Sequence, residues 1–355
     1  MVQSCHGRED RLREAAERKA SLGRYNQVYE KPPLCNGAVG WSGLFQRANP
    51  LTPASNRLDM TAVWSLWMRP LARANWVRTL KLMALSVEVA SPQFADTVLV
   101  TDRLGKELLV DQLGLRFSEV VSDLDDRLSG IPPEWWVAGK ATAYKMMAAR
   151  KRPFLHIDND LFWWRVPSGL EDRALIAQNY EYVDDTCSVY DLKRLSSYAK
   201  KHHFALPEAW NWAVKEFGPY QRALNCGVFG GTDYAFIETF ASEMLRIMTT
   251  PPFSGFYSQH ERKHGDACVV EQWLLDAMSC RNGIDVFVLF GCFEDAHVVT
   301  VSDITHLLGP YSKDDPDNLR AVDTILQRDF PDRWERLMET IAHLSNGGVD
   351  IDAPR

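Results

Sequence analysis

Residues 153–164 read Pro-Phe-Leu-His-Ile-Asp-Asn-Asp-Leu-Phe-Trp-Trp, an acidic pair set between two apolar runs. The first run, Pro153–Ile157, has the length and composition of a buried strand, and Leu161–Trp164 follows the pair as a second apolar run. A loop exposed to water would not be framed in this way. The stretch therefore predicts a strand that carries Asp158 and Asp160 side by side to one edge of a sheet.

The chain before this stretch alternates between strand and helix patterns. Strands are predicted at Met60–Trp67, Asp96–Thr101 and Ser118–Val121, and helices at 70–89, Leu104–Leu113 and Val137–Ala149. This alternation indicates βαβ units, and hence an α/β fold with a mainly parallel sheet flanked by helices. Ligands bind beyond the carboxyl ends of the strands in such sheets, where Asp102, Asp158 and Asp160 are expected. No glycine-rich dinucleotide fingerprint follows the first strand and no P-loop pattern is present, which argues against both kinds of nucleotide site.

The second half of the chain shows patterns of unequal strength. Helices are predicted at Tyr234–Met248, Val269–Met278 and 319–344, the last interrupted at Pro331, and a strand is predicted at Asp285–Phe290. Leu224–Gly231 is apolar and rich in glycine, which lets a backbone pass close to a ligand. Residues 182–218 have no clean period, and residues 251–266 are loop-like.

The acidic pair suggests a metal site. Asp158 and Asp160 repel each other unless a positive charge lies near them. A hard divalent cation such as Mn²⁺ or Mg²⁺ takes carboxylate oxygens readily. The pattern Asp-x-Asp is common by itself, and the acidic pairs at 125–126 and 184–185 are interpreted as solvated loop acids. The apolar frame around Asp158 and Asp160 makes a metal role the favoured interpretation there.

Further polar residues are expected at the same edge of the sheet. Lys140 and Tyr144 lie one helical turn apart on the helix before the acidic strand, so they share a face that could reach a nucleotide. Asp102 ends a strand, where it suits either contact with a nucleoside or capping of the next helix. Asn159, between the two aspartates, is counted with these donor-binding candidates. His156 is interpreted as a core histidine.

Four segments form a series along the chain. They are His156–Asp160, which contains Asp-x-Asp; Asn225–Val228, which reads Asn-Cys-Gly-Val; Glu271–Leu275, which reads Glu-Gln-Trp-Leu-Leu; and His306–Gly309, followed by Lys313. In this order they resemble the motifs of GT-A glycosyltransferases of the galactosyltransferase and glycogenin-like kind. The differences are Cys226 in place of alanine, Glu271 in place of aspartate and one additional residue before Lys313. The resemblance covers about residues 58–315.

The resemblance implies a metal-dependent glycosyltransferase on a GT-A-type Rossmann-like sheet, which moves a sugar from a nucleoside-diphosphate sugar to an acceptor. Asp158, Asp160 and His306 would be the metal ligands, and Lys313 would contact the diphosphate as a point charge. Bound Mn²⁺ or Mg²⁺ would offset the charge that grows on the leaving diphosphate. A UDP-sugar is favoured as donor. The acceptor, whether a glycan, a peptide or a small molecule, stays open.

The same resemblance implies roles around the donor sugar. Asn225 and Gly227 would shape the sugar pocket, and Glu271 and Gln272 would lie near the anomeric carbon as the catalytic candidates. The matching enzymes retain the configuration of the sugar and require no separate strong base. If this chain inverts the configuration instead, Glu271 or Asp266 is the candidate base.

Sugar hydroxyls and the acceptor would meet other parts of the chain. Asn179 and Glu181 follow the acidic strand and are candidates for contact with hydroxyls. Residues 182–218 and 251–266 are expected to select the acceptor, since variable function lies on loops above a fixed sheet.

Composition and charge narrow the class of protein. The chain has 355 residues, 46% of them apolar, and a net charge of −7, which argues against nucleic acid or an anionic membrane as partner. The seven cysteines are odd in number and contain no C-x-x-C pair, so a reduced, cytoplasmic protein is expected. The N-terminus lacks the apolar stretch of a signal peptide, and no apolar run approaches the ~20 residues of a membrane span.

Three parts are predicted along the chain. Residues 1–57 read as an N-terminal extension, with one charged helix and proline-containing loops. Residues 58–345 form the single catalytic domain, and residues 346–355 are a tail.

Three other functions fit parts of the pattern. A sugar nucleotidyltransferase would share the fold, although the glycine-rich basic loop expected after its first strand is missing at residues 64–69. A phosphatase of the haloacid-dehalogenase type also ends a strand in Asp-x-Asp, but earlier in the chain and with threonine or valine where Leu161 stands. A catalytically inactive binding protein on a GT-A-like scaffold is the third alternative, because fold does not imply function.

Overall fold

The structure, a computed structural model, describes residues 57–69, 71–183, 190, 192–217, 221–254, 263–290, 298–301 and 303–346. The chain divides into two units, Met1–Gln46 and Arg47–Arg355, and every described residue belongs to the second. The predicted extension at 1–57 and tail at 346–355 lie outside the described residues, apart from Arg57 and Asn346. Their roles stay predictions.

A seven-stranded sheet forms the centre of the second unit. Its strands stand in the order β10-β6-β9-β4-β1-β2-β3. They are β1 (Leu58–Leu66), β2 (Phe94–Thr101), β3 (Glu119–Val121), β4 (Phe154–Ile157), β6 (Ile176–Ala177), β9 (Val228–Gly231) and β10 (Phe287–Val288). All neighbouring pairs are parallel except the two that β9 makes with β4 and β6. The predicted α/β class and mainly parallel sheet are confirmed.

Helices follow the strands in the manner of βαβ units. They are α1 (Trp76–Ala90), α2 (Arg103–Lys106), α3 (Leu124–Arg127), α4 (Val137–Arg150), α5 (Leu192–Lys201), α6 (Glu208–Phe217), α7 (Tyr234–Thr249), α8 (Lys263–Cys268), α9 (Leu274–Asn282), α10 (Gly309–Asp314), α11 (Pro316–Asp329) and α12 (Pro331–Ser345). Two π-helical segments, Glu107–Gln112 and Val269–Trp273, continue α2 and join α8 to α9. Short 3₁₀ turns cover Arg73–Asn75 and Ser91–Gln93.

Strand β1 shows why the sheet is covered on both faces. Seven of its nine residues are buried and Ser65 is half-buried, and side chains alternate between the two faces. Val63 packs in the core that contains α4 and α7, whereas the indole of Trp64 donates to the hydroxyl of Ser86 on α1 at 3.0 Å. Strands that are buried on both faces in this way are typical of parallel sheets between helix layers.

Two smaller sheets complete the architecture near the end of β4. Strand β5 (Leu161–Trp163) pairs with β12 (Ile304–Leu307), which pairs with β11 (Val298–Val301), all antiparallel. Strands β7 (Tyr180–Val183) and β8 (Gln221–Leu224) form a separate antiparallel pair. One strand of each small sheet adjoins these elements in the chain: β5 follows the acidic stretch, and β8 precedes β9.

Several predicted boundaries differ from the structure. The predicted strand at Asp285–Phe290 is reduced to Phe287–Val288, and the predicted helix at 70–89 begins only at Trp76. Residues 182–218, which show no clean period, contain helices α5 and α6. The predicted interruption of the C-terminal helix at Pro331 is confirmed, because α11 ends at Asp329 and α12 begins at Pro331.

Candidate functional site

The site is assembled where β4 ends. The backbone amide of Asp158 donates to the carbonyl oxygen of Gly227 at 2.9 Å, which extends the pairing of β4 with β9. The pairing of β12 with β5 places His306 opposite the residue that follows Asp160, and the amide of Leu307 donates to the carbonyl of Asp160 at 3.1 Å. Three segments that are far apart in sequence therefore meet at one edge of the sheet.

The three predicted metal ligands lie together at this edge. Asp158, Asp160 and His306 each offer one ligand atom, and these atoms lie within 4.8 Å of one another. Nε2 of His306 is 3.6 Å from Oδ1 of Asp160. Asp160 is 1% exposed and His306 is 4% exposed, while Asp158 is half-buried. Asp160 and His306 are thus shielded from solvent, and Asp158 is the ligand of the cluster that solvent contacts most.

Hydrogen-bond polarity prepares His306 to bind a cation. Nε2 of Gln178 donates to Oδ1 of Asn179 at 3.0 Å, which directs Oε1 of Gln178 to Nδ1 of His306 at 2.8 Å. A carbonyl oxygen only accepts, so Nδ1 carries the hydrogen, and Nε2 is the ring atom on the side of Asp160 that a cation would bind. Metal-binding histidines commonly have a partner of this kind on the other ring nitrogen. The donor set of two carboxylates and one imidazole suits a divalent cation such as Mn²⁺.

The carboxylate oxygens also fit a cation. Both oxygens of Asp160 and one oxygen of Asp158 are buried and accept no hydrogen bond from the described residues. Their neighbours are the charged groups of Lys313 and Lys140 instead. Buried acceptors need a positively charged or hydrogen-bonding partner. The two lysines supply that charge here, and a bound divalent cation would take the same role at both aspartates.

Two lysines neutralise the two aspartates. Nζ of Lys140 lies 2.7 Å from Oδ1 of Asp158 and 3.1 Å from Oε1 of Glu271, and Nζ of Lys313 forms an ion pair with Asp160. Burial opposes the charge on Lys140, but Asp158 and Glu271 outweigh it and raise the pKa of Lys140 above its usual range. The predicted donor-binding lysines therefore both lie at the acidic pair.

The two aspartates respond differently to this setting. Burial raises the pKa of Asp158 even though Lys140 opposes the rise. Burial acts in the same direction on Asp160, but Lys313 and His306 outweigh it and hold the pKa of Asp160 below its usual range. Asp160 is therefore the firmly ionised member of the pair.

Glu271 lies beneath the acidic pair, on the π-helical segment Val269–Trp273. Its side chain is fully buried, and Oε1 accepts a hydrogen bond from the hydroxyl of Tyr144 at 2.9 Å. Burial raises the pKa of Glu271, although Lys140 lowers it. Burial and Glu271 also raise the pKa of Tyr144 well above its usual range. Short π-helical insertions are frequent at functional sites because they redirect side chains.

A second polar network adjoins the first. The amide of Gly227 donates to Oδ1 of Asn225 at 2.8 Å, and Nδ2 of Asn225 donates to Oε1 of Glu181 at 2.5 Å. The hydroxyl of Tyr190 contacts both Oε2 of Glu181 and the side-chain amide of Gln272. Asn225, Gly227 and Gln272, all expected near the donor sugar, are therefore linked by one chain of hydrogen bonds.

Gly227 leaves no room for a larger residue. A Cβ atom there would lie 2.2 Å from Oε1 of Gln178 and 2.4 Å from Cε1 of His306. Both atoms belong to the pair that fixes the histidine ring. The glycine is thus required for His306 to approach the acidic strand.

Three other predicted residues have the following positions. Both carboxylate oxygens of Asp102 accept backbone amides, from Gly105 at 2.7 Å and from Arg69 at 2.6 Å, and the side chain is fully buried. The structure thus shows Asp102 as the cap of α2, and its contact with a donor stays a prediction. Asn159 is half-buried between the aspartates. His156 is 1% exposed, as expected of a core histidine, and its Nε2 lies 2.8 Å from the hydroxyl of Ser65.

Two residues of the site have no signal in the sequence. Gln178 is adjacent to the two-residue strand β6, and Tyr190 lies in a region without a clean period. Each acts on a residue far along the chain, Gln178 on His306 and Tyr190 on Gln272. Such long-range pairs follow from the fold and not from spacing.

Residues 60–340 match a family model described as Family of unknown function (DUF6734). The chain belongs to this family. No curated protein matches the sequence. None of the helices in the described parts of the chain has both the length and the apolar composition that a membrane crossing demands.

Three solved structures of glycosyltransferases are similar to this member of the family. The galactosyltransferase LgtC, in complex with donor and acceptor sugar analogues, is 16% identical over 82% of this chain and 100% of its own, with a TM-score of 0.34. An active-site mutant of LgtC is 15% identical over 71% of this chain and 88% of its own, with a TM-score of 0.36. Mouse xyloside xylosyltransferase 1, in its apo form, is 11% identical over 65% of this chain and 84% of its own, with a TM-score of 0.32.

Proposed function

We propose that this chain is a metal-dependent glycosyltransferase that moves a sugar from a nucleoside-diphosphate sugar to an acceptor. Asp158, Asp160 and His306 would hold Mn²⁺ or Mg²⁺ at the diphosphate. When bound, the cation would offset the charge that develops on the leaving diphosphate. The observation that carries the proposal is the convergence of these three residues within 4.8 Å, with the imidazole already oriented by Gln178.

The balance of charge supports a divalent cation. The four carboxylates of the two networks belong to Asp158, Asp160, Glu271 and Glu181. The ammonium groups of Lys140 and Lys313 contact the first three of them. Four negative and two positive formal charges leave two negative charges uncompensated. Buried charges of one sign are costly unless they are paired. One divalent cation would restore neutrality.

The two lysines would have different tasks. Lys140 is buried between Asp158 and Glu271 and would keep both carboxylates in place. The side chain of Lys313 is 32% exposed and lies on the short helix α10, so its ammonium group could turn from Asp160 to the phosphate oxygens of a donor. A lysine serves there as a mobile point charge.

The donor sugar would lie above Asn225, Gly227, Glu271 and Gln272. Glu271 and Gln272 are the proposed catalytic residues, and the hydrogen-bonded network beneath them would hold their side chains in position. A UDP-sugar is the favoured donor by resemblance. The acceptor class, retention of configuration, a cytoplasmic location and a single catalytic domain at 58–345 belong to the same proposal.

Calorimetry would test the proposal directly. Binding of UDP, GDP, ADP and CMP would be measured with Mn²⁺, with Mg²⁺ and with a chelator, on the wild type and on Asp160→Ala. We expect one nucleoside diphosphate to bind only with a divalent cation, and we expect Asp160→Ala to abolish that binding. Asp160→Ala removes one of the three ligands, the one that Nε2 of His306 approaches to 3.6 Å.

A matched control separates the site from general effects of acidic residues. Asp96 is a half-buried aspartate near the start of β2, where it pairs with Arg152 at 2.8 Å. Asp96→Ala should leave nucleotide binding unchanged. Absence of nucleotide binding under every metal condition, or equal binding by Asp160→Ala and Asp96→Ala, would contradict the proposal.

A further inference from the structure

The hydrogen bonds around Tyr190 have a fixed direction. The amide of Gly227 donates to Oδ1 of Asn225 at 2.8 Å, so the other end of that side chain, Nδ2, is the donor to Glu181 at 2.5 Å. Oε1 of Glu181 therefore accepts. Its second oxygen, Oε2, lies at the hydroxyl of Tyr190. A carboxylate only accepts, so the hydroxyl of Tyr190 donates its hydrogen to Glu181.

This direction determines how the amide of Gln272 is turned. A phenol has one hydrogen, and the hydrogen of Tyr190 is already given to Glu181. Oε1 of Gln272 lies against the same phenol oxygen in the structure. A second acceptor at that oxygen would find no hydrogen, whereas the NH₂ end of the amide can donate to it. The two ends exchange by a rotation of 180° and have nearly the same shape, so the hydrogen-bond network decides between them.

We propose that Tyr190 and Glu181 are positioning residues that hold the NH₂ end of Gln272 and so turn its carbonyl oxygen to the donor sugar. Tyr190 is 6% exposed, whereas Gln272 is half-buried and the far end of its amide has no hydrogen-bond partner among the described residues. That end is the part of the network that a ligand can reach. A carbonyl oxygen there accepts a hydrogen bond from a sugar hydroxyl.

The inference rests on the proposed function, because it assigns a sugar to the space in front of Gln272. It adds a requirement that the metal site does not contain. The metal and Lys313 would hold the diphosphate, whereas Tyr190 would affect only the sugar. Loss of the Tyr190 hydroxyl should therefore weaken the binding of a nucleotide sugar and leave the binding of the nucleotide alone unchanged.

A double-mutant cycle tests this dependence on Gln272. Dissociation constants of UDP, UDP-galactose and UDP-glucose would be measured by calorimetry in saturating Mn²⁺ for the wild type, Tyr190→Phe, Gln272→Ala and the double variant. Tyr190→Phe should weaken the preferred UDP-sugar about fivefold, the effect of one net hydrogen bond, and should leave UDP unchanged. In the Gln272→Ala background the same change should have no further effect, because Tyr190 acts through Gln272.

Two more variants protect the test against a general loss of structure. Tyr198→Phe removes another tyrosine hydroxyl, which donates to the carbonyl of Pro252 at 3.2 Å, and should leave all three ligands unaffected. Glu181→Gln keeps the hydroxyl of Tyr190 but replaces its carboxylate partner, and should show the same selective loss as Tyr190→Phe.

Each other outcome would overturn the inference. Additive losses in the double variant would show that Tyr190 does not act through Gln272. An equal loss of affinity for UDP and for the UDP-sugars in Tyr190→Phe would indicate a structural role. An unchanged affinity for the UDP-sugars in the same variant would exclude any role in the sugar site. Failure of the wild type to bind UDP or any other nucleotide would instead remove the proposed function itself.

Discussion

Replacement of Lys313 by methionine should change the affinity for metal and for nucleotide in opposite directions. The ammonium group of Lys313 forms an ion pair with Asp160, which is 1% exposed. A divalent cation that binds Asp160 must compete with this charge. In Lys313→Met the competition disappears, while the side chain keeps its approximate length and apolar stem. Mn²⁺ should then bind more tightly to the protein without nucleotide.

The structure sets the size of the effect. The side chain of Lys313 is 32% exposed, so the pair lies between a solvated ion pair, at about 0.5 kcal/mol, and a fully buried one, at about 3–5 kcal/mol. An intermediate contribution of about 1–2 kcal/mol corresponds to a roughly fivefold to thirtyfold tighter binding of Mn²⁺. Nucleoside diphosphate should bind about tenfold more weakly, because the variant lacks the point charge that the phosphate would contact.

Calorimetric titration of Mn²⁺ into chelator-treated protein, followed by titration of UDP in saturating Mn²⁺, measures both effects. Lys81→Met is the matched control, because Lys81 pairs with Asp323 at 2.7 Å between α1 and α11 and is 17% exposed. That variant should change neither affinity. If Lys313→Met weakened Mn²⁺ binding, or left both affinities unchanged, the placement of Lys313 between the metal site and the diphosphate would be refuted.

Three further predictions concern the residues that hold the site together. Lys140→Met should lower the free energy of unfolding by about 3–5 kcal/mol in urea denaturation, because Asp158 and Glu271 lose the buried cation between them; an unchanged midpoint would contradict the buried ion-pair network. Gly227→Ala should weaken Mn²⁺ binding at least about tenfold, since its Cβ would lie within 2.4 Å of Cε1 of His306, and it should cost about 1–3 kcal/mol of stability. Gly139→Ala, whose Cβ would have no neighbour closer than 3.6 Å, is its control and should keep full Mn²⁺ affinity. Arg222→Met should destabilise the protein by about 3–5 kcal/mol in thermal or urea unfolding, because Asp276, 1% exposed, would lose the guanidinium group 2.8 Å away, while UDP affinity of the folded variant should be unchanged.

The regular part of the fold could be predicted from the sequence. Strands β1, β2 and β4 are mainly apolar and β-prone, and α4 and α7 have clear helical patterns, so the sequence predicts each within a few residues. The antiparallel entry of β9 and the pairing of β12 with β5 were not predictable from period alone. They depend on contacts between residues more than 70 positions apart.

Helix α5 illustrates a pattern that is present but weak. Its buried residues, Leu192, Leu195 and Ala199, have helical spacing, yet lysines, an arginine, serines and a tyrosine fill the remaining positions. Three apolar residues in ten are too few to identify a helix with assurance. Tertiary packing supplies most of the stability of such helices, and the sequence does not show the packing.

The candidate site was predicted in part for a related reason. Asp158 and Asp160 are adjacent to a strong strand pattern, so their position at a sheet edge followed from the sequence. His306 joined them only through the resemblance of its motif. Gln178 and Tyr190 have no motif, and their effect depends on hydrogen bonds to His306 and Gln272 across 128 and 82 positions of the chain.

A crystal structure with Mn²⁺ and UDP, recorded at a wavelength where manganese scatters anomalously, tests the central claim most directly. We predict one anomalous peak in contact with Asp158, Asp160 and Nε2 of His306, with the diphosphate on its open side and Lys313 turned towards the phosphates. A peak elsewhere, or nucleotide bound without metal at these three residues, would contradict the assignment of this edge of the sheet as the metal-dependent donor site.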